Sequence, residues 1–198
     1  MTTKSKNWIS ELEQLITPEV VFINENEITA HSYDWWPVAK KWAQQGEQPY
    51  KPDAVVRVVN TTQVSKILRW ASERAIPVTP WGAGSGVTGA AIPTQGGIVL
   101  DTSAMNDILV LDEENMMVKV QAGKMGHHLE EELNTRGYTL NHSPQSLDRS
   151  TVGGWVATRA IGQFSSRWGG IEDLTVSFTV VLPTGEVVET SSSPRAAI

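Results

Sequence analysis

A cluster of glycines near the middle of the chain is the stretch whose residue types could do chemistry. Gly82, Gly84, Gly86 and Gly89 fall within eight residues. Glycine tolerates positive φ and lets another group approach the peptide N–H groups closely, and successive N–H donors in a concave turn bind anions such as phosphate or pyrophosphate. Apolar, strand-like residues at 76–81 and 98–100 flank the cluster, and a loop held between two strands makes a better anion site than a linker. The spacing therefore predicts a phosphate-binding loop made by backbone alone.

Two familiar nucleotide-binding loops do not fit this cluster. Residues 84–89 (GSGVTG) match the dinucleotide fingerprint G-x-G-x-x-G literally, but that motif has meaning only where a helix starts on it. Pro93 and the pair Gly96-Gly97 follow instead, without a helical period. A P-loop also fails, because no Gly-Lys-Ser or Gly-Lys-Thr closes the loop. We therefore exclude both motifs.

A second polar stretch, residues 142–162, is rich in hydroxyl groups and contains the pair Gly153-Gly154 and the cation Arg159. Several neutral donors and one permanent cation suit a pyrophosphate. The alternative is a long loop with a short helix over residues 153–160 that Ser and Thr side chains stabilise as caps. The residues alone leave both interpretations open.

Helices and strands alternate around these two stretches. A polar, proline-bounded connector at residues 43–52 separates an N-terminal helical or irregular segment, 1–50, from a domain over 51–198. Thr61 or Thr62 is the predicted cap of the helix that follows the first buried strand. Apolar periodicity predicts helices over 7–16, 61–75 and 125–136, strands over 55–59, 77–81 and 97–101, and hairpins over 108–121 and 175–190.

Composition limits the function classes. The 198 residues are enough for one domain with a core, and they carry a net charge of −6 and no cysteine. The negative charge argues against a general nucleic-acid binder, and the lack of cysteine excludes disulfides and thiolate metal sites. No His pair has zinc-site spacing, so no metal is expected. No signal peptide or apolar run of spanning length is seen, so we expect a cytoplasmic protein without a membrane-spanning segment.

Three motifs together resemble the FAD-binding domain of the vanillyl-alcohol oxidase, or PCMH-type, flavoproteins. They are residues 80–86 (PWGAGSG), 101–105 (DTSAM) and 150–154 (STVGG), and the resemblance runs from about residue 52 to residue 190. Residues 144–147 (PQSL), with 150–160 and 170–174, are most similar to alkyldihydroxyacetonephosphate synthases. The D-2-hydroxyacid dehydrogenases share the pattern less closely.

The resemblance implies an α+β fold, a PCMH-type FAD-binding domain of two small α/β subdomains. It also implies that the chain is a truncated fragment, whose C-terminal part and substrate-binding cap domain are absent. The residues that select substrate and move protons are expected in those parts, so no catalytic residue is assigned.

The resemblance further implies which residues hold FAD. The glycine loop would bind the diphosphate through its N–H groups, and the second stretch would line the rest of the flavin site. Some family members attach FAD covalently through a His in the glycine loop, where this chain has Ser85, so non-covalent FAD is expected. The implied cofactor-binding residues are Pro80, Trp81, Gly82, Ala83, Gly84, Ser85, Gly86, Pro144, Gln145, Ser146, Leu147, Ser150, Thr151, Gly153, Gly154, Thr158, Arg159, Ala160 and Ile161.

Three functions stand as hypotheses. The first is an FAD-dependent oxidoreductase acting on a hydroxylated substrate, like a 2-hydroxyacid dehydrogenase or oxidase. The second is alkylglycerone-phosphate synthesis, which uses FAD without net oxidation, and the third is a non-catalytic nucleotide-binding module. Local motifs favour the second, but the absent cap domain decides the chemistry, so we adopt the broader oxidoreductase class. We expect a small-molecule substrate as the partner and no binding of nucleic acid. The candidate assembly is a homodimer.

Overall fold

The central element of the fold is a four-stranded sheet, seen in a computed structural model that describes residues 8–190. Its strands are β1 (Val21–Phe22), β2 (Ala54–Arg57), β3 (Val78–Trp81) and β4 (Ile98–Asp101), in the order β1-β2-β4-β3. β4 is parallel to both β2 and β3, and β1 runs antiparallel to β2. β2 and β4 are continuous apolar runs because both faces of these central strands are covered.

Two helices cover one face of this sheet. α4 (Thr61–Glu73) connects β2 to β3 and buries Ile67, Trp70 and Ala71, and α1 (Trp8–Leu15) buries Leu12 in the same core. The N-cap of α4 is Asn60, whose side chain accepts a hydrogen bond from the Gln63 N–H at 2.9 Å. The prediction of Thr61 or Thr62 as the cap was therefore wrong by one or two residues, since both lie inside the helix.

The N-terminal segment adds α2 (Glu25–Ala30) and α3 (Pro37–Gln45). α3 takes in the first three residues of the predicted connector at 43–52, and Gly46, at φ +70°, ends it. Because β1 pairs with β2, this segment supplies an edge strand to the sheet. The division into 1–50 and 51–198 remains a prediction.

The second half of the chain forms two hairpins around short helices. β5 (Ile108–Asp112) pairs with β6 (Met117–Val120), and β7 (Thr179–Val181) pairs with β8 (Val187–Glu189). Both predicted hairpins and the α+β class are confirmed. The helices are α5 (Gly126–Asn134), α6 (Val152–Thr158), α7 (Ser165–Trp168) and α8 (Ile171–Leu174). Within residues 8–190, no helix has the length and apolar character needed to cross a bilayer.

A buried group of charged side chains lies at the carboxyl ends of β2 and β4. The Asp101 carboxylate, 1% exposed, accepts a hydrogen bond from Arg57 Nε at 2.8 Å and lies 3.5 Å from His31 Nε2. Arg57 also donates to Glu27 Oε2 at 3.0 Å. The His31 ring packs on the indole of Trp81 with 4.9 Å between ring centroids. The group thus ties α2, β2 and β4 to the residue at which the glycine loop begins.

We expect this charged group to make the free energy of unfolding depend on pH. Burial opposes ionisation of Asp101, but hydrogen bonds from His31, the Ser103 N–H and Arg57 lower its pKa to about 2. Burial likewise opposes protonation of His31, but its contacts with Asp101 and Glu27 raise its pKa above 6.5. The Asp101 contribution is present above pH 3.8 and is lost as pH falls towards 2, whereas the His31 contribution is present below pH 6.5 and is lost as pH rises through the folded pKa. Both are present between about pH 4 and 6.5.

Denaturant unfolding of the wild type and of His31→Gln tests this expectation. The stability advantage of the wild type over the variant should be smaller at about pH 8 than at about pH 5. His142 acts in the opposite sense, because burial lowers its pKa, and comparison with the variant cancels that contribution. An advantage that is equal at the two pH values would contradict the role given to His31.

Candidate functional site

The glycine loop leaves β3 with its backbone donors unpaired. None of the N–H groups of residues 82–89 donates a hydrogen bond to another of the described residues. Native proteins pair the great majority of their buried N–H groups, and Gly84 in this run is buried. The other residues of the run are partly or fully exposed, so their N–H groups are accessible to a bound acceptor. The predicted anion loop therefore has the free donors that it needs.

The Trp81 indole forms the floor of the loop. Gly84 has φ +61°, and a Cβ built there would collide with the Trp81 ring. The Trp81 carbonyl oxygen accepts hydrogen bonds from both the N–H and the Oγ1 of Thr102, each at 3.0 Å. Only glycine fits at position 84, since any side chain would meet a ring that is fixed to the end of β4.

The far end of the loop rests on residues 34–36 of the N-terminal segment. The Trp35 N–H donates to the Gly86 carbonyl oxygen at 2.9 Å. A Cβ built at Gly86 would lie 3.6 Å from Asp34 Oδ2, and one at Gly89 would lie 2.9 Å from the Trp36 ring. Trp36 also packs against Trp42, with 5.6 Å between ring centroids. Sequence reasoning did not identify this segment as a support for the loop.

The second predicted stretch meets the glycine loop at Thr151. A Cβ built at Gly82 would collide with Thr151 Oγ1. The same hydroxyl oxygen accepts a hydrogen bond from the Gly154 N–H at 3.3 Å and so caps α6. The structure therefore brings Gly82, Thr151 and Gly154 together, although the first two lie 69 positions apart along the chain.

Backbone and side-chain hydrogen bonds fix the start of α6. The Gly153 N–H donates to the Ala122 carbonyl oxygen at 2.8 Å, and a Cβ at Gly153 would press on Ala122. Trp155 Nε1 donates to Ser150 Oγ at 2.7 Å, and that hydroxyl donates to the Ser146 carbonyl oxygen at 2.6 Å. The turn at Pro144, Gln145, Ser146 and Leu147 is closed by the bond from the Leu147 N–H to the Pro144 carbonyl oxygen, at 3.0 Å. The two interpretations of residues 142–162, a diphosphate-binding stretch and a long loop with a short capped helix, do not exclude each other. The structure has the short, Thr-capped helix, and this helix lies against the glycine loop.

The C-terminal end of α6 is more exposed. Thr158 Oγ1 donates to the Gly154 carbonyl oxygen at 2.8 Å, and Ile161 is 69% exposed. Arg159 pairs with Glu172 Oε1 at 2.8 Å, and its side chain is 77% exposed. The described contacts of Arg159 are thus with a carboxylate of α8, and its role towards a diphosphate remains a prediction, as do those of Ala160 and Ile161.

Two further side chains, those of His142 and Trp35, lie beside the predicted residues and are not among them. His142 is 3% exposed, packs on Trp155 with 4.8 Å between ring centroids, and has no hydrogen-bond partner for either ring nitrogen among the described residues. Burial lowers its pKa, so the imidazole is neutral near pH 7. Trp35 is 47% exposed, and two cations lie over its ring: Lys40 Nζ is 4.2 Å and Arg149 Cζ is 4.7 Å from the ring centroid. The contacts of His142 with Trp155 and of Trp35 with Arg149 join residues that are distant in sequence, so local sequence carried no signal for them.

A separate cleft of about 620 Å³ lies between β5 and α5. Its lining includes Ser103, Lys124 and Arg136 but none of the predicted cofactor-binding residues. The chemistry of the glycine loop, with unpaired N–H donors and no obstructing side chain, fits a diphosphate better than this cleft, where Lys124 is already paired with Glu132. We therefore place the candidate site at the glycine loop.

Comparisons with known proteins identify the family of the chain. Residues 52–191 match the family model described as an FAD binding domain. An uncharacterized FAD-linked oxidoreductase of Escherichia coli, YgcU, is 42% identical over 147 residues, which cover 74% of this chain and 30% of that protein. A D-lactate dehydrogenase of Anaerostipes hadrus is 37% identical over 140 residues, covering 70% of this chain and 29% of that protein. A solved structure of alkyldihydroxyacetonephosphate synthase superposes with a TM-score of 0.89 at 29% identity, covering 97% of this chain and 35% of that one.

The chain spans about a third of the length of these relatives. The family resemblance and FAD as the cofactor are confirmed, because the model match extends over most of the chain and contains both predicted stretches. The chain belongs to the FAD binding domain family of the PCMH-type flavoproteins.

Proposed function

We propose that the loop of residues 80–86 holds the diphosphate of FAD through the backbone N–H groups of residues 82–86, with Ser150, Thr151, Gly153 and Gly154 closing the site. The observation that carries this proposal is the run of unpaired N–H donors at residues 82–89, in contact with Thr151 at Gly82. A diphosphate supplies the acceptors that such a run lacks. The stretches 144–147 and 158–161 are assigned to the rest of the flavin.

We propose further that the whole protein is an oxidoreductase acting on a small hydroxylated substrate. FAD, when bound, supplies a hydride acceptor; this chain binds and orients it, and no catalytic residue is assigned within the chain. The 37% identity to a D-lactate dehydrogenase supports this class. Alkylglycerone-phosphate synthesis is the second candidate, supported by the TM-score of 0.89 to alkyldihydroxyacetonephosphate synthase. A non-catalytic nucleotide-binding module is the third.

Spectroscopy of the purified full-length protein separates the three candidates. Visible flavin absorbance that bleaches anaerobically on addition of 2-hydroxy acids is the expected result for the oxidoreductase. Absorbance that persists with these acids, in a protein that converts acylated dihydroxyacetone phosphate, would support the synthase instead. A colourless protein that stays without flavin when FAD is added would favour the non-catalytic module.

We expect FAD to be bound without a covalent link. The loop carries Ser85 at the position where a tethering His is expected, and no His lies within residues 80–89. Acid precipitation of the flavin-loaded protein should therefore release all visible flavin into the supernatant. Flavin that stays with the pellet after repeated washing would contradict this expectation.

The remaining proposals concern partners and compartment. The net charge of −6 supports a small-molecule substrate over a nucleic acid, which would require a basic face. We also propose a cytoplasmic location and a homodimer. Cell fractionation and light scattering of the full-length protein test these two points.

A further inference from the structure

Asp34 has a buried side chain, and only one of its two carboxyl oxygens has a hydrogen-bond partner among the described residues. Its side chain is fully buried, and Oδ1 accepts a hydrogen bond from the Trp36 N–H at 3.0 Å. Oδ2 is shielded from solvent and has no hydrogen-bond partner among the residues that the structure describes. A buried polar oxygen without a hydrogen-bond partner is costly, so an oxygen kept in this state needs a reason.

The unpaired oxygen lies beneath the glycine loop. Oδ2 would be 3.6 Å from a Cβ built at Gly86, and the neighbouring Trp35 N–H already holds the Gly86 carbonyl oxygen at 2.9 Å. Because the N–H and C=O of a trans peptide point in opposite directions, this bond turns the N–H of Val87 away from Trp35. The segment below the loop therefore decides which way at least one of its peptide groups faces.

We infer that Asp34 is a positioning residue for the glycine loop: its Oδ2 accepts a loop N–H when the loop closes on an anion, and this pairing fixes the orientation of the adjoining peptide groups. The inference rests on the proposed function, in which that anion is the diphosphate of FAD. Glycine-rich backbone can adopt many conformations, and a carboxylate below the loop disfavours those that turn a carbonyl oxygen towards it. The residue acts through the loop and does not contact the cofactor.

Asp34→Ala and Asp34→Asn test this inference, with Ser32→Ala as the matched control. Ser32 is also buried and belongs to the same segment, but its hydroxyl bonds to the Ile28 carbonyl oxygen and to Gln48, away from the loop. Two quantities are measured in the full-length protein: the Kd of FAD, and the protection from hydrogen exchange that FAD gives to residues 82–89.

Asp34→Ala should raise the Kd by about tenfold or more, as expected for loss of a charge-assisted hydrogen bond, and should reduce the protection. Asp34→Asn keeps an oxygen acceptor and should lie between the wild type and the alanine variant, whereas Ser32→Ala should keep the Kd within about twofold of the wild type. If Asp34→Ala does not fold, a raised Kd in Asp34→Asn with a normal melting temperature of the apoprotein supports the inference.

Two results would overturn the inference while leaving the proposed function intact. One is a pair of Asp34 variants that bind FAD as tightly as the wild type does. The other is a loss of affinity in Ser32→Ala equal to that in Asp34→Ala, which would mean that the segment acts only through stability. A wild-type protein that does not bind FAD would overturn the proposed function itself, and the inference with it.

Discussion

Valine at position 84 is expected to abolish flavin retention. Gly84 has φ +61°, a region in which a β-branched residue is strained, and its Cβ would collide with the Trp81 indole. The indole cannot move aside easily, since a hydrogen bond from Thr102 holds the Trp81 main-chain carbonyl oxygen and the His31 ring packs against the indole. Backbone strain and overpacking each cost about 1–3 kcal/mol. Since about 1.4 kcal/mol corresponds to a tenfold change, fluorescence titration of the apoprotein should show the Kd of FAD raised by roughly a hundredfold or more.

Gly137→Val is the matched control for this experiment. Gly137 also has positive φ, at +81°, but a Cβ built there meets nothing within 4 Å. The control therefore carries backbone strain without a collision, at the end of α5 rather than in the loop. It should lower stability and keep the wild-type Kd. Retained flavin in Gly84→Val, or an equal loss in Gly137→Val, would mean that the glycine loop has been wrongly assigned.

Local sequence was enough to predict the strands β2, β3 and β4, the two hairpins and the helices α1, α4 and α5, whereas α2, α3, α7 and α8 were not predicted. Dense apolar runs, such as those that make up β2 and β4 before the charged last residues Arg57 and Asp101, become buried strands wherever both faces are covered, so their pattern alone indicates them. The free N–H donors of the glycine loop follow from residue type in the same way, because glycine leaves the main chain bare. These features depend on neighbours along the chain.

Other features that were missed depend on contacts between distant residues. β4 lies between β2 and β3 although it follows both in sequence, and no local pattern specifies that order. The support of Gly86 by Trp35, and the pairing of Arg159 with Glu172, likewise join residues that sequence spacing does not relate. The cap of α4 could not be assigned from residue type, because Asn60 is as good a cap as Thr61 or Thr62. The position at which the first helical turn begins decides between them.

The contact between Gly82 and Thr151 gives the second large expected effect. Alanine at position 82 needs no unusual φ, but its Cβ would collide with Thr151 Oγ1, and overpacking of this kind costs about 1–3 kcal/mol. We expect Gly82→Ala to raise the Kd of FAD about tenfold or more, because the collision separates the glycine loop from the start of α6. Gly137→Ala is the control, since a Cβ there meets nothing within 4 Å and the residue lies outside the glycine loop; it should keep the wild-type Kd.

A double-mutant cycle shows whether this effect arises from the collision itself. Thr151→Ala alone removes the α6 cap, at a cost of about 1 kcal/mol in stability. In the Gly82→Ala background, however, the same change removes the colliding oxygen, so the double variant should bind FAD more tightly than Gly82→Ala alone. Coupling between residues in direct contact is typically about 0.5–3 kcal/mol. Strictly additive effects would mean that the two stretches do not meet at these residues, and the site would then have to be built from the glycine loop without α6.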